Sequence, residues 1–242
     1  MILCDLGETP TMLTLYQFNS CPFCWKVKAF LNYTKTPYEV VEVTPFGMKE
    51  LDFTDHKKVP VLKDDAEIVV ESGAIVRYLN DKYAHLPVNP QDEAWQAWVD
   101  NTLVHYLPPL IHPNIGKSFQ NLGLVMTNGK DGAVKRFLVR LVGAMVMPRV
   151  ANKMKLKHNI QNPAAEFQTA LAHWVDNGLA CKDFYAGEQP GLVDTSVFGV
   201  LRSAQGMGIL ETAAVTNPAF GRWYEACRGM MGCHNVSGKD DG

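Results

Sequence analysis

Cys21-Pro22-Phe23-Cys24 sets two thiols two residues apart, directly behind an apolar run at 12–18. Such a pair can cycle between dithiol and disulfide, and its first member can act alone as a nucleophile if it ionises. Pro22 suits the first helical position, where the missing N–H costs nothing. Cys21 then falls at the N-cap, where unpaired N–H groups and the positive end of the helix dipole favour thiolate over thiol. Two further features belong to the same chemistry. Val59-Pro60 puts a proline at the start of a strand, where no ladder bond is lost. A cis bond there would leave the Val59 backbone free to pair with an extended peptide, although trans is the commoner state. Glu71-Ser72 precedes an apolar helix, so the Ser72 hydroxyl and the first helix N–H groups form a carboxylate receptor. Glu71 would hold an ammonium group beside it, while the plainer reading of Ser72 is an N-cap. Together these residues describe a receptor for a small zwitterionic thiol peptide, glutathione, with its sulfur reaching Cys21.

The elements that must position them are readable. A strand at 13–18 leads to a helix from about 21, broken at Thr36-Pro37, and a β-branched strand follows at 38–43. A short helix or loop spans 46–55. Runs at 59–62 and 68–70 flank a turn and read as a hairpin. A helix capped by Ser72 carries Ile75, Val76 and Leu79. The order β-α-β-α-β-β-α gives an α/β, thioredoxin-like domain over 11–83. Pro87, Asn89 and Pro90 mark a linker at 84–91. Beyond it no strand pattern appears, and helices are indicated at 92–106, 132–157, 163–178, 194–204 and 218–230. The second domain, 92–234, is therefore all-helical, and 235–242 is a tail. Gly191 stands where a helix-capping side chain is expected, which weakens that helix start.

The net charge of −2 argues against nucleic acid as a partner. The six cysteines lack the spacing of a secreted disulfide framework, so a reducing, cytoplasmic setting is the simpler reading. A zinc site would need Cys227, Cys233 or His234 to join Cys21 and Cys24, and no metal is expected. The chain as given begins without a basic, apolar leader. Residues 137–150 are too short and too interrupted to span a membrane, and a buried helix is the better reading. Lys153, Lys155, Lys157 and His158 follow and offer weak contact with anionic lipid, although a solvated helix end is the simpler reading.

The chain resembles the glutaredoxin and glutathione-transferase-like proteins. Leu15-Tyr16-Gln17, Cys21-Pro22-Phe23-Cys24, Lys58-Val59-Pro60-Val61-Leu62, Trp98-Val99-Asp100-Asn101, Leu103-Val104-His105 and Phe198-Gly199-Val200-Leu201-Arg202 narrow the resemblance to the membrane-associated prostaglandin E synthase type 2 family. The resemblance implies a glutathione-transferase-like helical domain, a homodimer and an isomerase acting on a lipid endoperoxide, prostaglandin H2, to give prostaglandin E2. It implies Cys21 as nucleophile, Tyr16 lining the pocket and bonding Cys21 or substrate, and Cys24 as a thiol that isomerisation does not need. Phe23, His105 and Arg202 would contact substrate, and Val59, Pro60, Glu71 and Ser72 would hold glutathione. Haem, with the glutathione sulfur on iron, is implied as a further ligand. A glutathione-dependent thiol–disulfide oxidoreductase or transferase, and a haem–glutathione carrier, stay open as alternatives. His112, His158 and His173 read as surface or packing residues.

Overall fold

The structure, a computed structural model, describes residues 12–45, 47–125 and 133–232. In the first domain β1 (Leu13–Gln17) leads to α1 (Pro22–Tyr33), followed by β2 (Tyr38–Glu42), β3 (Val61–Asp64), β4 (Glu67–Val70) and α2 (Ser72–Leu79). The sheet runs β2-β1-β3-β4, with β1 parallel to β2 and the other pairs antiparallel. Among the described residues between β2 and β3, a single turn, Lys49–Leu51, is helical. Alternation along β1 turns Leu13 and Leu15 onto Val27, Phe30 and Ile75, so α1 and α2 cover one sheet face. Tyr16 faces the other way, among Val43, Leu51 and Val61.

The second domain is helical: α3 (Asp92–Trp98), α4 (Val104–Ile111), α5 (Ile115–Val125), α6 (Ala133–Lys157), α7 (Pro163–His173), α8 (Leu192–Arg202), α9 (Ile209–Thr216) and α10 (Pro218–Met231). A wider π turn, Val99–Leu103, carries α3 into α4, which explains why the pattern at 92–106 reads as one helix. Helices α5 and α9 are additions to the five expected. The weak start expected for α8 is not weak. Asp194 accepts from the Gly191 N–H at 2.9 Å, the Tyr185 N–H at 3.0 Å and the Trp223 indole at 2.9 Å. Half of the capping box survives without a side chain at Gly191.

The two domains meet where α8 lies on α1. A Cβ on Gly199 would stand 2.6 Å from the Lys26 Cα and the Trp25 carbonyl oxygen, so only glycine permits that approach. Lys26, fully buried, crosses the seam to both oxygens of Asp100 at 2.8 and 2.9 Å. The Asn32 amide donates to the Met231 carbonyl at 2.9 Å and fastens the far end of α1 to α10. No helix among the described residues is long and apolar enough to cross a membrane.

Candidate active site

Register brings the three expected features to one end of the sheet. Tyr16 pairs with Val61, and Val61 with Val70. The chain leaving β1 toward Cys21, the Val59-Pro60 step entering β3 and the Glu71-Ser72 step leaving β4 therefore share that end. The Val59-Pro60 bond is cis. Among the described residues, neither the N–H nor the C=O of Val59 pairs with another backbone group. Glu71 takes a left-handed φ of 69° at the N-cap of α2, and Ser72 is buried as that helix begins. The exposed Glu71 side chain and the open N–H groups of α2 sit together there, a carboxylate beside the positive end of a helix.

Cys21 is the N-cap of α1, with Pro22 at the first helical position. The Cys24 thiol donates to its sulfur, and the N–H groups of Cys24 and Phe23 lie toward it without closing a full capping bond. Lys28 adds positive charge. These groups outweigh burial and hold the Cys21 thiol below the ordinary range. Cys24 is fully buried, and burial together with the neighbouring sulfur pushes its thiol far up. The pair thus divides into one sulfur disposed to ionise and one that keeps its proton. Both are free thiols.

The surroundings of Cys21 include residues that sequence reasoning missed. Asn19 ties the loop down: its N–H donates to Glu42 at 2.9 Å, its carbonyl accepts from the Trp25 indole at 2.8 Å, and its amide oxygen accepts from Lys28 at 3.2 Å. Gln17 donates to the same Glu42 carboxylate at 2.7 Å. The Lys28 ammonium lies 3.4 Å from the centre of the Trp25 ring, and the Arg202 guanidinium lies 4.8 Å from that centre. Burial lowers Lys28 to about 8, against attraction from Cys24 and Glu42. The available signal was a lysine inside an apolar helical stretch, which must be paired if buried.

The remaining expected residues are placed differently. Tyr16 is set against Phe53, with ring centres 4.8 Å apart, on the sheet face away from α1. It lines a cavity of about 270 Å³ with Met12, Thr14, Lys63 and Asp65. The expected bond from Tyr16 to Cys21 gives way to this packing, because side chains alternate along the strand. Phe23, half-buried, leans on the helical-domain core. His105 stacks on His158, with ring centres 3.6 Å apart, and burial and that neighbour lower it to about 4. His105 is thus a neutral partner of α6, and His158, expected as a surface or packing residue, is its stacking mate. His173 packs on Trp95 and Trp98. His112 is buried beside Ser20, Asn121 and Ser203 at a cavity of about 30 Å³, enough for one water. Cys227 lies in the helical core, and Cys233 and His234 fall outside the described residues. Among the described residues no three His, Cys, Asp or Glu side chains gather for a metal.

Comparison with known proteins follows this geometry. Residues 15–90 match the family described as glutathione S-transferase, N-terminal domain. The chain is 26% identical to prostaglandin E synthase 2 of Danio rerio over 83% of its own length and 66% of the relative's. It is 27% identical to prostaglandin E synthase 2 of Mus musculus over 81% of its own length and 64% of the relative's. It thus spans just under two thirds of these relatives. Glutathione S-transferase U1 of Arabidopsis thaliana is 22% identical over 94% of this chain and 91% of the relative. Among solved structures, human glutathione-S-transferase T1-1 in its apo form superposes with a TM-score of 0.61 at 22% identity, covering 91% of this chain and 84% of that one. At that identity the likeness speaks for the fold alone.

Proposed function

We propose, for a chain that belongs to the prostaglandin E synthase type 2 family of glutathione-transferase-like proteins, that it uses glutathione and isomerises prostaglandin H2 to prostaglandin E2 through the Cys21 thiolate. The observation that carries this reading is the unequal thiol pair at the end of the sheet where Val59, Glu71 and Ser72 also gather. The Val59 backbone pairs with an extended tripeptide, the N-terminus of α2 with Ser72 takes a carboxylate, and Glu71 takes an ammonium. Bound there, glutathione supplies a second thiol, an acid for an opened alkoxide and then a base for a carbon-bound proton.

Cys21 does the bond-breaking. Its thiolate attacks one endoperoxide oxygen, an S–O bond forms, and the O–O bond breaks with its electron pair leaving on the second oxygen. That oxygen takes a proton and becomes the hydroxyl. Loss of the proton from the carbon bearing the sulfur-bound oxygen forms the ketone and returns the S–O electron pair to Cys21. Nothing is oxidised or reduced overall. Cys24 and Lys28 keep the departing sulfur stable as an anion. Phe23 at the seam offers apolar contact, and Arg202 over Trp25 offers a cation to a substrate carboxylate. A homodimer, implied by the resemblance, belongs to the same proposal. For haem the described residues offer no comparable cradle, since His105 is engaged with His158, and the chemistry above runs without it.

One observation favours a second reading, glutathione-dependent thiol–disulfide exchange: the Cys24 thiol already donates to Cys21, where a resolving thiol would stand. Cys21 would displace one sulfur of a disulfide, Cys24 would displace the other by closing a Cys21–Cys24 bond, and two glutathione thiols would reopen it. A product assay on prostaglandin H2, with and without glutathione, separates the two. Under the first reading E2 forms faster than in buffer, falls roughly a hundredfold or more in Cys21→Ser and survives Cys24→Ser. Formation no faster than buffer, or loss in Cys24→Ser alone, overturns it.

A further inference from the structure

We infer that a water bound at the domain seam is part of the active site, and that His112 is a positioning residue which holds Ser20, and with it the loop that presents Cys21, through that water. The inference rests on the reading of Cys21 as the reactive sulfur. The cavity of about 30 Å³ lies between the domains: Ser20 lines it from the first, and His112, Asn121, Ser203 and Met207 line it from the second. A volume of that size holds one water where about two to four polar partners surround it, and four of these residues bring a polar side chain. The His112 ring is 8% exposed, and its Nδ1 has no hydrogen-bond partner among the described residues. A buried polar atom of this kind is normally satisfied by protein or by ordered water. Ser203 spends its hydrogen on the Val200 carbonyl at 2.8 Å, so its oxygen is left to accept. The Asn121 amide is set by its bond to the Ile111 carbonyl at 2.6 Å. No charged side chain among the described residues lines the cavity, so its guest is neutral.

Burial lowers His112 to about 4, so the ring is uncharged at neutral pH and can take a hydrogen from water. The water donates to His112 and to Ser203 and accepts from the Ser20 hydroxyl, about the usual number of bonds for a buried water. Its effect on Cys21 follows from the loop. Asn19, just before Ser20, is anchored to Glu42, Trp25 and Lys28, all within the first domain. The Ser20 hydroxyl bonds to no described residue and meets the helical domain at this cavity. His112 caps the end of α4 and Ser203 the end of α8. One water therefore joins the loop to both helix ends across the seam. It keeps Cys21 at the N-terminus of α1, where the thiolate is favoured.

Alkylation by iodoacetamide across pH, read at Cys21 by mass spectrometry of the full chain's peptides, tests the inference without any lipid substrate. His112→Leu and Ser20→Ala should each slow alkylation at neutral pH roughly threefold or more and move its midpoint upward. His112→Gln should keep most of the wild-type rate, because its amide can bond the same water. Ser20→Ala with His112→Leu should be no slower than the slower single variant, because both cut one link. Circular dichroism reports folding. Ser20 is exposed, so Ser20→Ala and His112→Gln decide the matter if His112→Leu does not fold. A crystal structure of the wild type should show a water within hydrogen-bond distance of the His112 ring and the Ser20 hydroxyl. A dry cavity overturns the inference. So do effects that multiply in the double variant, a His112→Gln as slow as His112→Leu, or a low wild-type midpoint that Ser20→Ala leaves in place; the reading of Cys21 survives all of these. An ordinary thiol midpoint in the wild type overturns that reading, and the inference with it.

Discussion

Two helical contacts of this protein use apolar residues in opposite ways. In the α1–α8 seam eight of the twelve α1 residues and ten of the eleven α8 residues are buried, including two lysines, and the backbones touch at Gly199. In the α5–α6 hairpin the longer helix leaves eight large apolar side chains exposed. The difference lies in what each helix faces. Helix α1 is enclosed by the sheet on one side and α8 on the other, so its buried side chains must be packed or paired, and its N-terminus carries the reactive sulfur. Helix α6 is covered on one side only, and its other side meets solvent.

The largest effect expected from breaking the seam is that of Gly199→Val. The nearest atoms are backbone, which cannot swing aside. The helices must separate, at a cost of about 3 kcal/mol or more by overpacking. Urea unfolding reads the cost, and slower alkylation of Cys21 by iodoacetamide reads the displacement of α1. Unchanged unfolding would mean that the seam is looser than its backbone contacts imply.

Asp100→Ala ranks next. It strands the buried Lys26 ammonium, and removing one partner of a buried pair costs about 3–5 kcal/mol. Asp100 keeps about a third of its side chain exposed, so roughly 2–3 kcal/mol is expected here. Adding Lys26→Met should restore most of it, because the burden is the unpaired charge and not the lost attraction. A double variant no better than Asp100→Ala would assign the loss to packing.

Lys28→Met should act with the opposite sign on stability. The folded protein holds this lysine near 8, below its ordinary 10.5. The buried charge therefore weighs on the fold fully below pH 8, and the weight is relieved as pH rises from about 8 to 10.5. The variant should be more stable at neutral pH, on the order of 1–3 kcal/mol, with the advantage shrinking across that window. Cys21 loses a positive neighbour at the same time, so its alkylation midpoint should move upward. A variant of lower stability at neutral pH would mean that the contacts of Lys28 with Trp25 and Asn19 outweigh its desolvation.

Much of the first domain is legible in the residues alone. Short β-branched runs punctuated by Thr36-Pro37, Val59-Pro60 and Ser72 locate the strands and α2, because proline and caps act locally. Tyr16 is equally legible, yet the expected bond to Cys21 ignores its place: it falls between Leu15 and Gln17, and alternation alone turns it from the face that α1 covers. Helix α5 escapes the pattern because Gly116 and Gly123 interrupt it, and α9 because it is only eight residues long. The bonds of Asn19 to Glu42 and the stacking of His105 on His158 join residues far apart in the chain, and spacing carries no signal of such pairs. Lys26 and Lys28 occupy helical positions whose burial depends on α8, far away in sequence.

The smallest expected effect sharpens the contrast most. Leu141→Gln with Met145→Gln changes two large apolar residues in a helix rich in such residues, yet unfolding in solution should move by only about 1 kcal/mol. Leu141 and Met145 are 38 and 41% exposed, so each substitution gives back only part of the apolar area that a core site would. Glutamine is close to leucine and methionine in helix propensity, so the backbone is not penalised. The same pair of substitutions on the buried face of α8, at Val197 and Leu201, would each remove a fully buried side chain and leave a polar group in the core. A loss above about 2 kcal/mol for the α6 pair would mean that its outer face is covered in the protein's own solution state. The contrast between a seam closed for chemistry and a face left open would then fail.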